Sequence, residues 1–97
     1  MEKLTFVYPA NAALAARAHV GVVASGDLEV LLEPSTAAES KVTVTTSVDG
    51  FGAVWKSVLD RFFSRFTAAA AVEINDFGAT PGLVLLRLEQ AAEAVRS

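Results

Sequence analysis

The sequence has no cysteine. Disulfides and thiolate metal centres are therefore excluded, and the polypeptide has no thiol of its own for a thioester. It has one histidine, His19, too little to build a metal site from. Basic residues number 8 against 11 acids, a net charge of -3. They are scattered rather than clustered, which argues against a nucleic-acid binder needing Lys and Arg to replace counterions along phosphates. No apolar run approaches the roughly 20 residues that cross a bilayer. Met1-Glu2-Lys3 passes straight into an alternating segment, without a basic leader followed by an apolar stretch. These absences predict a cytoplasmic protein that binds neither nucleic acid nor membrane.

What is present is an ordinary globular composition, 53% hydrophobic and 20% charged over 97 residues. That length suits one domain, spanning residues 1–97. A domain of this size hides roughly 65% of its unfolded surface, enough for a modest core.

Leu4 to Tyr8 reads as a short strand ending at Pro9, and Asn11 to Ala16 as either a helical turn or a loop. Arg17 to Val23 alternates, with Ala18, Val20 and Val22 on one face; Leu28 to Glu33 alternates likewise. Between them, Ala24-Ser25-Gly26-Asp27 has the small residues and central glycine of a tight hairpin turn. Pro34 to Ser40 reads as a polar loop, and Lys41 to Ser47, rich in Val and Thr, as a strand.

After Asp49-Gly50 the period changes. Phe51, Val54, Trp55, Val58, Leu59, Phe62 and Phe66 recur every three or four residues, with polar residues opposite. This predicts a long amphipathic helix over about residues 50–66, with Asp49 as its N-cap. Val72 to Asn75 reads as a strand leading into an Asp76-Phe77-Gly78 turn. Leu83 to Glu89 suits a strand buried on both faces, although Thr80-Pro81 could open a helix there. The strand is favoured, followed by a short helix over Gln90 to Arg96. The expected fold is α+β: a mostly antiparallel sheet of about five to six strands against one long helix.

No catalytic machinery emerges from these residues. His19 lies six positions before Ser25, about 20 Å away along a strand, so it cannot activate that hydroxyl. Val23 and Asp27 stand where a nucleophile elbow needs glycines. Gly50 and Gly52 lack the third glycine and lysine of a phosphate loop; Gly50 is expected to serve the turn and Gly52 close packing. The helix start still offers free N–H groups that can hold an anion weakly.

One stretch carries a resemblance. Gly21-Val22-Val23-Ala24-Ser25-Gly26-Asp27-Leu28-Glu29-Val30-Leu31 is similar to the modification site of the delta (acyl carrier) subunit of malonate decarboxylase. Thr46-Ser47-Val48-Asp49-Gly50 and Asp76-Phe77-Gly78-Ala79-Thr80-Pro81-Gly82 agree with the same family, in the same order. Ala24 stands where glycine is expected, which bears on the turn type and not on the serine hydroxyl.

The resemblance implies a non-catalytic carrier subunit. Its Ser25 would bear a covalently attached 2'-(5''-phosphoribosyl)-3'-dephospho-CoA, a thiol-ended prosthetic group joined through a phosphodiester. Gly26 and Asp27 complete the implied cofactor-binding segment, with Asp27 orienting the turn, contacting the modifying transferase or standing as a solvated turn acid. The acetyl thioester on the arm would exchange with malonate, releasing acetate, and loss of CO2 would regenerate it. The implied partners are the transferase (alpha) subunit, the decarboxylase (beta, gamma) subunits and a prosthetic-group transferase. The rivals are the related citrate lyase acyl carrier (gamma) subunit, a cofactor-free interaction domain and, least favoured, a stand-alone hydrolase.

Overall fold

Strict alternation of side chains sets the strands. The computed structural model describes residues 1–13, 18–20, 28–35 and 37–96. In chain order they form β1 (Glu2–Pro9), β2 (Ala12–Ala13), β3 (Ala18–Val20), β4 (Leu28–Pro34), β5 (Glu39–Thr46), α1 (Gly52–Phe63), β6 (Ala68–Asp76) and α2 (Pro81–Arg96). Leu28, Val30 and Leu32 of β4, Val42 and Val44 of β5, and Ala70, Val72 and Ile74 of β6 are buried on one sheet face. The intervening positions, such as Lys41, Glu73 and Glu33, are exposed or half-buried. Both helices cover the apolar face, so the molecule is a two-layer α+β sandwich.

The strand order is β1-β5-β6-β4-β3, with β2 pairing separately with β6. β1–β5, β3–β4 and β4–β6 are antiparallel, whereas β5–β6 and β2–β6 are parallel. The parallel β5–β6 pair follows from the chain between them, since two neighbouring strands joined through a helix return in the same direction. Both then finish at one end of the sheet, and the helices begin from that end.

Helix α1 buries Trp55, Leu59, Phe62 and Phe63, and Phe66 joins the same core beyond its end. It is shorter than the 50–66 span expected. Asp49 is not its N-cap: Phe51 takes that position, without a side-chain cap. Phe51 and Val54, placed on the apolar stripe by spacing, are 49% and 39% exposed. A Cβ at Gly52 would meet Leu4 at an ordinary 3.9 Å, so packing does not demand glycine there. Gly50 has φ +88, consistent with the turn expected of it.

The largest correction concerns residues 83–89, which form part of the 16-residue helix α2 and not a strand. Val84, Leu88, Ala91 and Ala92 are buried at helical spacing, while Leu86 is exposed. A doubly buried strand would have hidden Leu86 as well. Thr80 and Pro81 do open the helix, with the Thr80 hydroxyl accepting a bond from the Leu83 N–H at 3.3 Å. β6 is longer than Val72 to Asn75, and the alanines at 68–71 belong to it. The expected loop over 34–40 shrinks too, because Ser40 lies in β5. Its buried hydroxyl donates to the Ala68 carbonyl at 3.0 Å and accepts from the Ala70 N–H at 3.1 Å.

At the β1 side, Tyr8 stacks on Phe63 with ring centroids 4.5 Å apart. Its hydroxyl donates to Asp60 at 2.7 Å, and Lys56 donates to the same carboxylate at 2.8 Å. Burial, then the bond to Asp60, pushes the Tyr8 phenol well above its ordinary range. The bond from Lys56, then that from Tyr8, holds Asp60 below the usual carboxylate range. The signs differ. Tyr8 contributes stability below its unfolded value of about 10 that is lost as pH rises further. Asp60 contributes stability above its unfolded value that is lost as pH falls. Spectrophotometric titration of this single tyrosine should show ionisation delayed in the folded chain and normal in denaturant. Coincident titration curves would contradict the contact.

Candidate functional site

Ser25, Gly26 and Asp27 lie outside the described residues, as does the whole of the expected hairpin turn, Ala24 to Asp27. The strands on either side fix where that segment joins the fold. Val20 pairs with Val30, and Leu28 pairs with Asp76. Leu28, where the described chain resumes, therefore lies at the end of the sheet where Thr46 and Asp76 terminate β5 and β6. Ser25 stands three residues before Leu28 in the sequence. His19 pairs through its backbone with Leu31; the distance between His19 and Ser25 falls outside the described residues.

The same sheet end holds an apolar pocket of ≈ 240 Å³ between the first turns of α1 and α2. Val48, Phe51, Val54 and Trp55 form one side, and Ala79, Pro81 and Val84 the other. Val48 also stands partly open to solvent, and Phe77 beside Gly78 is another exposed apolar residue. No single element makes this pocket. It arises because the two parallel strands stop side by side and their chains turn into helices from that edge, the usual crevice of such sheets.

Asp76 and Thr46 contribute polar groups to the pocket lining, and Asp76 is only 5% exposed. Thr46 Oγ1 donates to Asp76 Oδ2 at 2.7 Å. Asp76 Oδ1 accepts from the Gly78 N–H at 3.2 Å and the Ala79 N–H at 2.9 Å, bending the chain toward α2. Gly78 sits at φ +108, which favours glycine. The sequence marked Asp76-Phe77-Gly78 as a turn; its aspartate as an organiser of the pocket is visible only in the fold. Asp76→Ala would leave the Thr46 hydroxyl and two amides without their acceptor. It should cost about 2–3 kcal/mol in urea unfolding, and a loss below about 0.5 kcal/mol would contradict that account.

Glu29, beside the segment, accepts from Asn75 Nδ2 at 2.9 Å across the β4–β6 pair. Among the described residues, no group of three or more His, Cys, Asp or Glu side chains is placed to hold a metal ion. Nor is any helix among them long and apolar enough to cross a membrane.

Comparison with known proteins agrees over nearly the whole chain. The family model described as malonate decarboxylase delta subunit matches residues 15–95. A malonate decarboxylase acyl carrier protein of Pseudomonas paraeruginosa is 55% identical over 94 residues, covering 96% of this chain and 95% of the relative. That of Azotobacter vinelandii is 51% identical over 96 residues, covering 98% and 97%. A chain in the crystal structure of a Pseudomonas malonate decarboxylase hetero-tetramer in complex with malonate superposes with TM-score 0.90 at 48% identity. It covers 98% of this chain and 99% of its own.

Proposed function

Since the chain belongs to the malonate decarboxylase delta-subunit (acyl carrier protein) family, we propose that it carries the acyl group of a malonate decarboxylase on a phosphoribosyl-dephospho-CoA arm joined to Ser25. The observation that carries this reading is the match over residues 15–95, a span that includes Ser25. Two physical features support it. The chain has no cysteine, so a thioester carrier needs a thiol from an attached group. Leu28, three residues after Ser25 in sequence, pairs with Asp76 of an apolar pocket, which suits a nucleotide-containing arm.

When bound, the arm supplies the thiol on which acyl exchange with malonate and release of CO2 take place at partner subunits. The residues of this chain do simpler work. The Ser25 hydroxyl provides the oxygen of the phosphodiester. Gly26 and Asp27 follow it in the attachment segment, and Asp27 orients the segment or contacts the modifying enzyme. The covalent link keeps the acyl group with the subunit, so tethering raises its local concentration at each partner. The solved relative comes from a hetero-tetramer, and we assign the corresponding transferase and decarboxylase subunits as partners here, in the cytoplasm.

Intact-mass measurement of the subunit, purified within its complex from a host that has the modifying transferase, tests the proposal. The expected mass is the polypeptide plus one arm. An active complex whose small subunit has the bare polypeptide mass would overturn it.

A further inference from the structure

We propose that the pocket between the first turns of α1 and α2 receives the adenine ring of the arm, an inference that rests on attachment at Ser25. Position comes first. Leu28 and Asp76 are paired across neighbouring strands, about 5 Å apart. Leu28 begins the strand that follows the attachment residue, so the described chain resumes beside the pocket floor. In the arm, the adenine is separated from the serine oxygen by one phosphate and two riboses. That is about ten bonds of some 1.5 Å each, a contour of roughly 15 Å before the purine itself, the scale of a site beside the strand that follows Ser25. The diphosphate and pantetheine extend beyond it.

Chemistry then selects among the parts of the arm. The walls are aliphatic and aromatic, with Trp55 and Phe51 on one side, and suit a flat apolar ring. The Asp76 carboxylate has about four acceptor sites, three of which are used by Thr46, Gly78 and Ala79. The remaining site can accept from the 6-amino group of adenine. It repels an acyl carbonyl, which only accepts, and repels a malonyl carboxylate more strongly. The thiol-ended half would stay free, on a shorter and better-aimed tether.

The test is proton NMR on the full chain bearing its arm, with loading verified by mass. Nuclear Overhauser contacts are expected from adenine H2 and H8 to the Val54 and Val84 methyls, with adenine lines several-fold broader than in free dephospho-CoA. Val54→Glu keeps a residue suited to the first turn of a helix and changes a partly exposed position. It should retain the added mass and lose those contacts. A loaded chain with narrow adenine lines and no contacts would overturn the inference while leaving attachment intact. So would contacts to these methyls from the pantetheine or acetyl protons instead. A chain without added mass from a host with the transferase would overturn both.

Discussion

A Ser25→Ala chain, produced beside the modifying transferase, keeps its bare polypeptide mass, and the complex that contains it loses malonate turnover to background. The expected loss exceeds about a thousandfold, because nothing else in the chain can stand in for the arm. There is no cysteine to accept an acyl group, and a free thiol carrier in solution would lack the effective concentration that tethering provides. Other serines offer a clean contrast. Ser57 lies exposed on α1, away from the pocket, and Ser57→Ala should leave both the added mass and the turnover unchanged. Turnover by the Ser25→Ala complex at an appreciable fraction of the unsubstituted rate would contradict carriage at this residue.

Trp55→Ala should remove about 3–5 kcal/mol of stability in chemical denaturation. Trp55 is 6% exposed and belongs to the cluster that joins α1 to the sheet. The indole leaves a large void that small shifts of the sheet cannot close. Native domains are stable by about 5–15 kcal/mol, so the variant stands near the edge of folding. Some relief is built in, because Trp55 also lines the pocket and the void opens toward it. That places the expected loss nearer the lower end of the range. A change within experimental error would mean that Trp55 does not hold α1 to the sheet.

Much of the architecture was legible in local pattern. β1, β4 and β5 alternate cleanly, and α1 shows a change of period after Gly50. The failures have physical causes. Leu83 to Leu88 contains so many apolar residues that periods of two and 3.6 both fit, and the capping signal at Thr80-Pro81 was outweighed. Ala68 to Ala71 lacks intrinsic strand preference and is held extended by its neighbours: β2 at Ala68 and Ala69, β4 at Ala70 and Ala71, and β5 at Ala71. Phe51 fits the apolar stripe by spacing, yet it sits where α1 begins at the pocket and is half exposed.

The site was legible in a different way. Ser25 stood out through resemblance alone, since by residue chemistry it is a turn serine among others. The pocket could not be read at all, because its walls come from β5, α1, β6 and α2 and meet only through the parallel pairing of β5 with β6. Asp76 was visible as a turn former, and only the fold shows its carboxylate facing an apolar space.

Fragmentation mass spectrometry of the proteolysed small subunit, taken from an active complex in a host with the modifying transferase, bears most directly on where the acyl group is carried. One peptide should bear the whole arm, with every fragment ion that contains Ser25 shifted and all others unshifted. An arm localised to a different hydroxyl, or an active complex with no shifted peptide, would contradict it.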